Sequence, residues 1–101
     1  MLSFLANFPR MLQTISITVS GVVQGVFYRQ STKEKALELG ISGLVKNLPD
    51  GNVQIVATGT SDQLDQLVQW CKQGPSRAKV TEVNVEQVTQ QVFMGFVIQR
   101  N

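Results

Sequence analysis

Apolar and polar residues alternate along Ile15-Ser16-Ile17-Thr18-Val19, a period of two that predicts a strand over roughly Gln13–Val19 with one face in a core. The period then lengthens. Tyr28, Thr32, Ala36 and Leu39 recur at helical spacing, so a helix is expected over Phe27–Leu39, with Gly40 as its stop. A second strand is expected over about Ile41–Asn47. Leu48-Pro49-Asp50-Gly51 reads as a turn, with proline fixing one φ and glycine free to take φ > 0. The third strand, Asn52–Thr58, then completes a hairpin and places Val53, Ile55 and Ala57 on one face.

Gly59-Thr60-Ser61-Asp62 has the composition of a turn followed by a helix cap. Leu64, Leu67, Val68 and Cys71 follow at i, i+3, i+4 and i+7, an apolar stripe that predicts a second helix ended by Gly74-Pro75. A fourth strand is expected within Ala78–Val88. Its valines, Val80, Val83 and Val85, fall in two phases, which predicts a bulge near Thr81–Glu82. A last strand lies within Phe93–Arg100, where Phe96 and Ile98 alternate with Val97.

The predicted order is βαββαβ plus a terminal strand, two βαβ units in tandem with right-handed crossovers. That pattern is the ferredoxin-like α+β sandwich, two helices packed on one face of a mostly antiparallel sheet. With 101 residues the chain is long enough for one core. Residues 1–12 do not fit the strand and helix pattern and are expected to form a mobile extension ahead of a domain over 13–101.

Composition removes several classes of chemistry. The chain has no histidine and a single cysteine, Cys71, so no histidine-dependent nucleophile system or internal disulfide can be built. Nine basic and seven acidic residues are scattered without a block, so neither nucleic acid nor a membrane surface is an expected partner. No apolar run approaches the roughly 20 residues of a membrane span. The lone thiol agrees with a reducing, cytoplasmic setting.

Against that background Gly21-Val22-Val23-Gln24-Gly25-Val26-Phe27-Tyr28-Arg29 stands out. Two glycines in five residues let the backbone curl, and a helix N-terminus just beyond adds unpaired N–H groups and the positive dipole end. Such an arrangement suits a small anion, above all a phosphate. Arg29 falls in the first helical turn, where the dipole disfavours a cation by about 0.3–1 kcal/mol. A bound anion reverses that sign.

These segments resemble the acylphosphatase family. Its first signature is similar to G-x-V-Q-G-V-x-[FY]-R, met from Gly21 to Arg29 without departure. Its second resembles G-[aromatic]-x-[basic]-N-x-x-x-G-x-V, met by Gly43, Lys46, Asn47, Gly51 and Val53, with Leu44 where an aromatic is usual and Gly59 matching a further glycine. The resemblance spans residues 13–100. It implies hydrolysis of the carboxyl–phosphate bond of acyl phosphates without metal, cofactor or covalent intermediate. The amides of Gly21, Val22, Val23, Gln24, Gly25, Val26 and Phe27 would hold the phosphate, Arg29 would bind its oxygens, and Asn47 would hold the attacking water. It also implies inorganic phosphate as product and inhibitor, and a monomer.

The chemistry is consistent with a site lacking histidine. The leaving carboxylate has a conjugate acid of pKa about 4 and needs no general acid. A guanidinium can contact two phosphate oxygens at once, and a neutral carboxamide can orient water without repelling the phosphate. With no general base evident, the substrate phosphate itself is a candidate acceptor for the water's proton.

Plainer readings stand beside these. Gly21–Gly25 could be an ordinary tight loop, Arg29 a surface arginine paired with a carboxylate, and Asn47 a turn residue. Lys46 points away from Asn47 by alternation and is expected in solvent. Tyr28 and Cys71 read as core, Trp70 as a cover for the stripe's edge, and Asp50 as turn chemistry. Two other functions compete: a module that binds phosphate or an acyl phosphate without turnover, and an RNA-binding domain of similar topology. The latter needs exposed aromatics on the central strands, and Gln13–Val19 and Asn52–Thr58 contain none.

Overall fold

A computed structural model describes residues 11–100. The expected extension over 1–12 thus lies outside the described residues, apart from Met11 and Leu12, which are exposed ahead of the first strand. The elements are β1 (Gln13–Val22), α1 (Tyr28–Leu39), β2 (Ser42–Asn47), β3 (Val53–Gly59), α2 (Ser61–Gln73), β4 (Lys79–Val88) and β5 (Phe96–Gln99). The sheet order is β4-β1-β3-β2-β5, with every pair antiparallel except β2 and β5. This is the ferredoxin-like frame anticipated above, with β5 added outside β2.

The core is the sheet face carrying Ile15, Ile17, Val19, Val45, Val53, Ile55 and Ala57, covered by Tyr28, Ala36, Leu64, Leu67 and Cys71 from the two helices. Trp70 packs against this core half-buried, its ring 5.5 Å from that of Tyr28. Helix α2 opens with a capping box. Thr60 accepts from the Gln63 amide at 3.3 Å, and the Gln63 side chain accepts from the Thr60 amide at 2.8 Å.

Two boundaries differ from expectation. Strand β1 runs on to Val22, so Gly21 and Val22 belong to the sheet, opposite Val80 and Lys79, and not to the loop. Helix α1 starts at Tyr28, one residue late, because Phe27 takes the left-handed conformation (φ 64°). The anticipated bulge is present. Ser20 faces Glu82 and Gly21 faces Val80, leaving Thr81 as the extra residue. Gly21 has φ 123°, and a Cβ there would lie 2.1 Å from the Lys79 carbonyl oxygen. The glycine is required by β4, whatever binds nearby.

Between β4 and β5 the chain crosses the sheet face opposite the helices. Thr14 and Thr58 alternate with the core-facing Ile15 and Ala57, and both hold Gln91 of the crossing segment. The Gln91 amide donates to the Thr14 hydroxyl at 2.9 Å, and the Thr58 hydroxyl donates to the Gln91 carbonyl at 2.8 Å. Thr58 has thereby used its one proton, so the 2.7 Å contact between the two hydroxyls runs from Thr14 to Thr58. A closed ring of three hydrogen bonds results, and it pins Gln91 of the crossing segment to β1 and β3.

Candidate active site

A cavity of about 440 Å³ opens where the β1–α1 loop, the end of β2 and the end of β5 meet. Val23, Gly25 and Phe27 come to it from the loop, Tyr28, Arg29 and Gln30 from the first turn of α1, Asn47 from β2, and Ile98 and Arg100 from the chain's last strand and just beyond. Arg29 and Asn47, from separate segments of sequence, thus face the same space.

The loop is built by two left-handed residues in three positions, Gly25 (φ 76°) and Phe27 (φ 64°). Gly25 has nothing within 4 Å of where a Cβ would stand, so it is needed for its φ and not for room. Phe27 is the only non-glycine residue with positive φ among the described residues, and its side chain is 71% exposed. A left-handed aromatic costs about 1–3 kcal/mol and persists where surrounding structure imposes it, typically at functional sites. Its carbonyl still accepts the Ser31 amide at 3.0 Å, which starts the helix. No acidic residue occupies the first turn of α1, so the positive end of its dipole meets no carboxylate of its own helix.

Gln24 is turned away from the cavity. Its side-chain amide donates to the carbonyls of Leu48 (2.9 Å) and Asn52 (2.8 Å), clamping the loop onto the β2–β3 turn directly after Asn47. The Leu48 amide closes that turn by donating to Asn52 at 2.8 Å. Asp50 acts within the turn, accepting from the Asn52 backbone and side chain at 3.0 and 3.3 Å. Asn47 itself is half-buried, with Oδ1 out of contact with solvent.

Of the residues expected to bind phosphate, the structure brings Val23, Gly25, Phe27 and Arg29 to the cavity wall. Gly21 and Val22 are paired in the sheet, and Gln24 and Val26 do not line the space. Among the described residues the one ion pair is Lys35–Glu38 at 3.2 Å, so Arg29 is paired with no carboxylate among them. Arg100 was not anticipated. Its place follows from the pairing of β5 with β2, which no local pattern announces.

The sequence matches the family described as Acylphosphatase over residues 15–98. The chain belongs to the acylphosphatase family. An acylphosphatase of Marinobacter nauticus is 56% identical over 72 residues, covering 71% of this chain and 78% of that protein. An acylphosphatase structure from Coxiella burnetii superposes with a TM-score of 0.85 at 42% identity, covering 87% of this chain and 93% of that one. The Bacillus subtilis acylphosphatase structure gives 0.84 at 34% identity, covering 88% and 99%. The acylphosphatase likeness thus spans both sequence motifs and the cavity between them. No helix among the described residues is long and apolar enough to cross a membrane.

Proposed function

We propose that this chain hydrolyses acyl phosphates to a carboxylate and inorganic phosphate, by in-line attack of a water held by Asn47 on a phosphoryl group held by Arg29 and the curled loop over 23–27. The observation that carries the reading is that Arg29 and Asn47 line one cavity at the N-terminus of α1. Membership of the acylphosphatase family supports it.

The division of labour follows from charge. The loop amides, the helix dipole and the guanidinium all stabilise negative charge spread over phosphoryl oxygens, where such transition states need it. The carboxamide offers one acceptor and two donors without charge, so it can aim a water without repelling the phosphate. The carboxylate leaves without a proton because its conjugate acid is strong. No Asp, Glu or His among the described residues lines the cavity, so the water's proton passes to the substrate phosphate. Inorganic phosphate, carrying the same group, competes for the site.

The test is hydrolysis of benzoyl phosphate by purified protein in excess EDTA. Release of phosphate at a rate proportional to protein is expected. Phosphate bound without release would replace the enzyme reading by a capture module.

A further inference from the structure

The register of β5 at the sheet's edge, against β2 beside it, places a further residue at the cavity. Strand β5 runs parallel to β2, and the last pair in register is Lys46 with Gln99. One residue further on stand Asn47 and Arg100, on neighbouring strands about 4.8 Å apart. They also share a face. Gly43 and Val45 of β2 are buried toward the helices, as is Phe96 of β5, and alternation puts Asn47 and Arg100 on that same side. Both line the cavity that Arg29 enters from α1. Among the described residues neither arginine is in an ion pair, and no Asp or Glu side chain lines the space.

We propose that Arg100 is a second phosphate-binding guanidinium, which with Arg29 matches the charge of a phosphoryl dianion. It rests on the reading that phosphate occupies this cavity. Two fixed positive charges facing one pocket repel each other, which is unfavourable in the empty protein and offset when a group of about −2 charge sits between them. One guanidinium would suffice for a monoanion.

The experiment measures inorganic phosphate binding calorimetrically, and benzoyl phosphate kinetics separately, for the wild type, Arg100→Gln and Arg100→Lys. Arg100 is exposed, so folding is not at risk from either change. Arg100→Gln is expected to weaken phosphate binding about tenfold or more, as for loss of a charge-assisted contact, with Arg100→Lys restoring part. Wild-type affinity should rise from about pH 5 to about pH 8 as the dianion forms, and the rise should shrink in Arg100→Gln. A merely structural residue would not flatten that dependence. Unchanged phosphate affinity and pH dependence in Arg100→Gln, in a protein that hydrolyses benzoyl phosphate, overturns the Arg100 role alone. Arg100-dependent phosphate binding in a protein that releases nothing supports the second guanidinium and removes the hydrolase reading.

Discussion

The side-chain amide of Gln24 reaches out of the β1–α1 loop and holds the carbonyl of Leu48, the residue next to Asn47, at 2.9 Å. One side chain thus fixes the distance between the loop that curls toward the cavity and the strand end that supplies the carboxamide. The same amide also reaches Asn52 at 2.8 Å, so both sides of the β2–β3 turn are tied to the loop.

Gln24→Ala should therefore cost stability and activity together. Two half-buried carbonyls lose a donor, a loss of about 1–3 kcal/mol that urea unfolding would read. Turnover should fall further than stability explains, because loop and Asn47 can then shift independently. Full turnover in a destabilised variant would show that the clamp is only structural.

Arg29→Gln and Asn47→Ala should fail differently. The first removes a contact to the phosphoryl oxygens, so phosphate inhibition should weaken and kcat/KM drop by about a hundredfold or more. The second leaves the anion loop intact, so phosphate should still inhibit while kcat falls by a similar factor. Equal losses of phosphate affinity in both would remove the distinct role given to Asn47.

With no Asp, Glu or His of the described residues on the cavity wall, the pH dependence of kcat/KM should follow the substrate's own ionisation. Comparing two acyl phosphates of different phosphate pKa should move the inflection with the substrate. An inflection near neutrality that stays put for both would point to an enzyme group.

Gly43 and Gly25 both have positive φ, and replacing each by alanine should give opposite balances of stability and activity. At Gly43 (φ 149°) a Cβ would lie 2.0 Å from the Val56 carbonyl oxygen, so β2 and β3 must part, costing about 3 kcal/mol or more. At Gly25 (φ 76°) the space is open, the cost is about 1–2 kcal/mol, and the damage should appear in phosphate affinity. Thermal melts and phosphate titration of the two variants separate the cases.

Alkaline pH should unfold the protein through a buried pair. Burial pushes the Cys71 thiol up from 9.0 to about 12, and burial together with the adjacent Cys71 also raises the Tyr28 hydroxyl well above its usual 10.0. Both stay protonated in the native state while the unfolded chain ionises, so the unfolded state binds fewer protons and stability falls as pH rises. The loss should begin near pH 9, where Cys71 ionises in the unfolded chain, and steepen above pH 10 as Tyr28 joins, approaching about 1.4 kcal/mol per pH unit for each group. Cys71→Ser should remove the first part of this slope in denaturant melts at stepped pH.

Much of this architecture is local and therefore readable from residues. The alternation at Ile15–Val19, the stripe at Leu64–Cys71 and the two valine phases of β4 each report a neighbour's packing through their own spacing. Gly21 shows where such reading stops. It belongs to the motif, yet its φ and its close approach to Lys79 come from β4, some sixty residues on. Gln24 reads as another loop amide, but its side chain acts on Leu48 and Asn52 across the fold. Arg100 is out of local view for the same reason, because β5 pairs in parallel with β2, more than fifty residues earlier in the chain.

The unpaired Thr81 has a consequence for how copies of this chain meet. Strand β4 is a ten-residue outer rim of the sheet, long enough to template another strand. The extra residue twists that rim and breaks the even run of amides and carbonyls, and Glu82 and Glu86 add like charges along it. Deleting Thr81 would straighten the rim and invite edge-to-edge stacking into fibres.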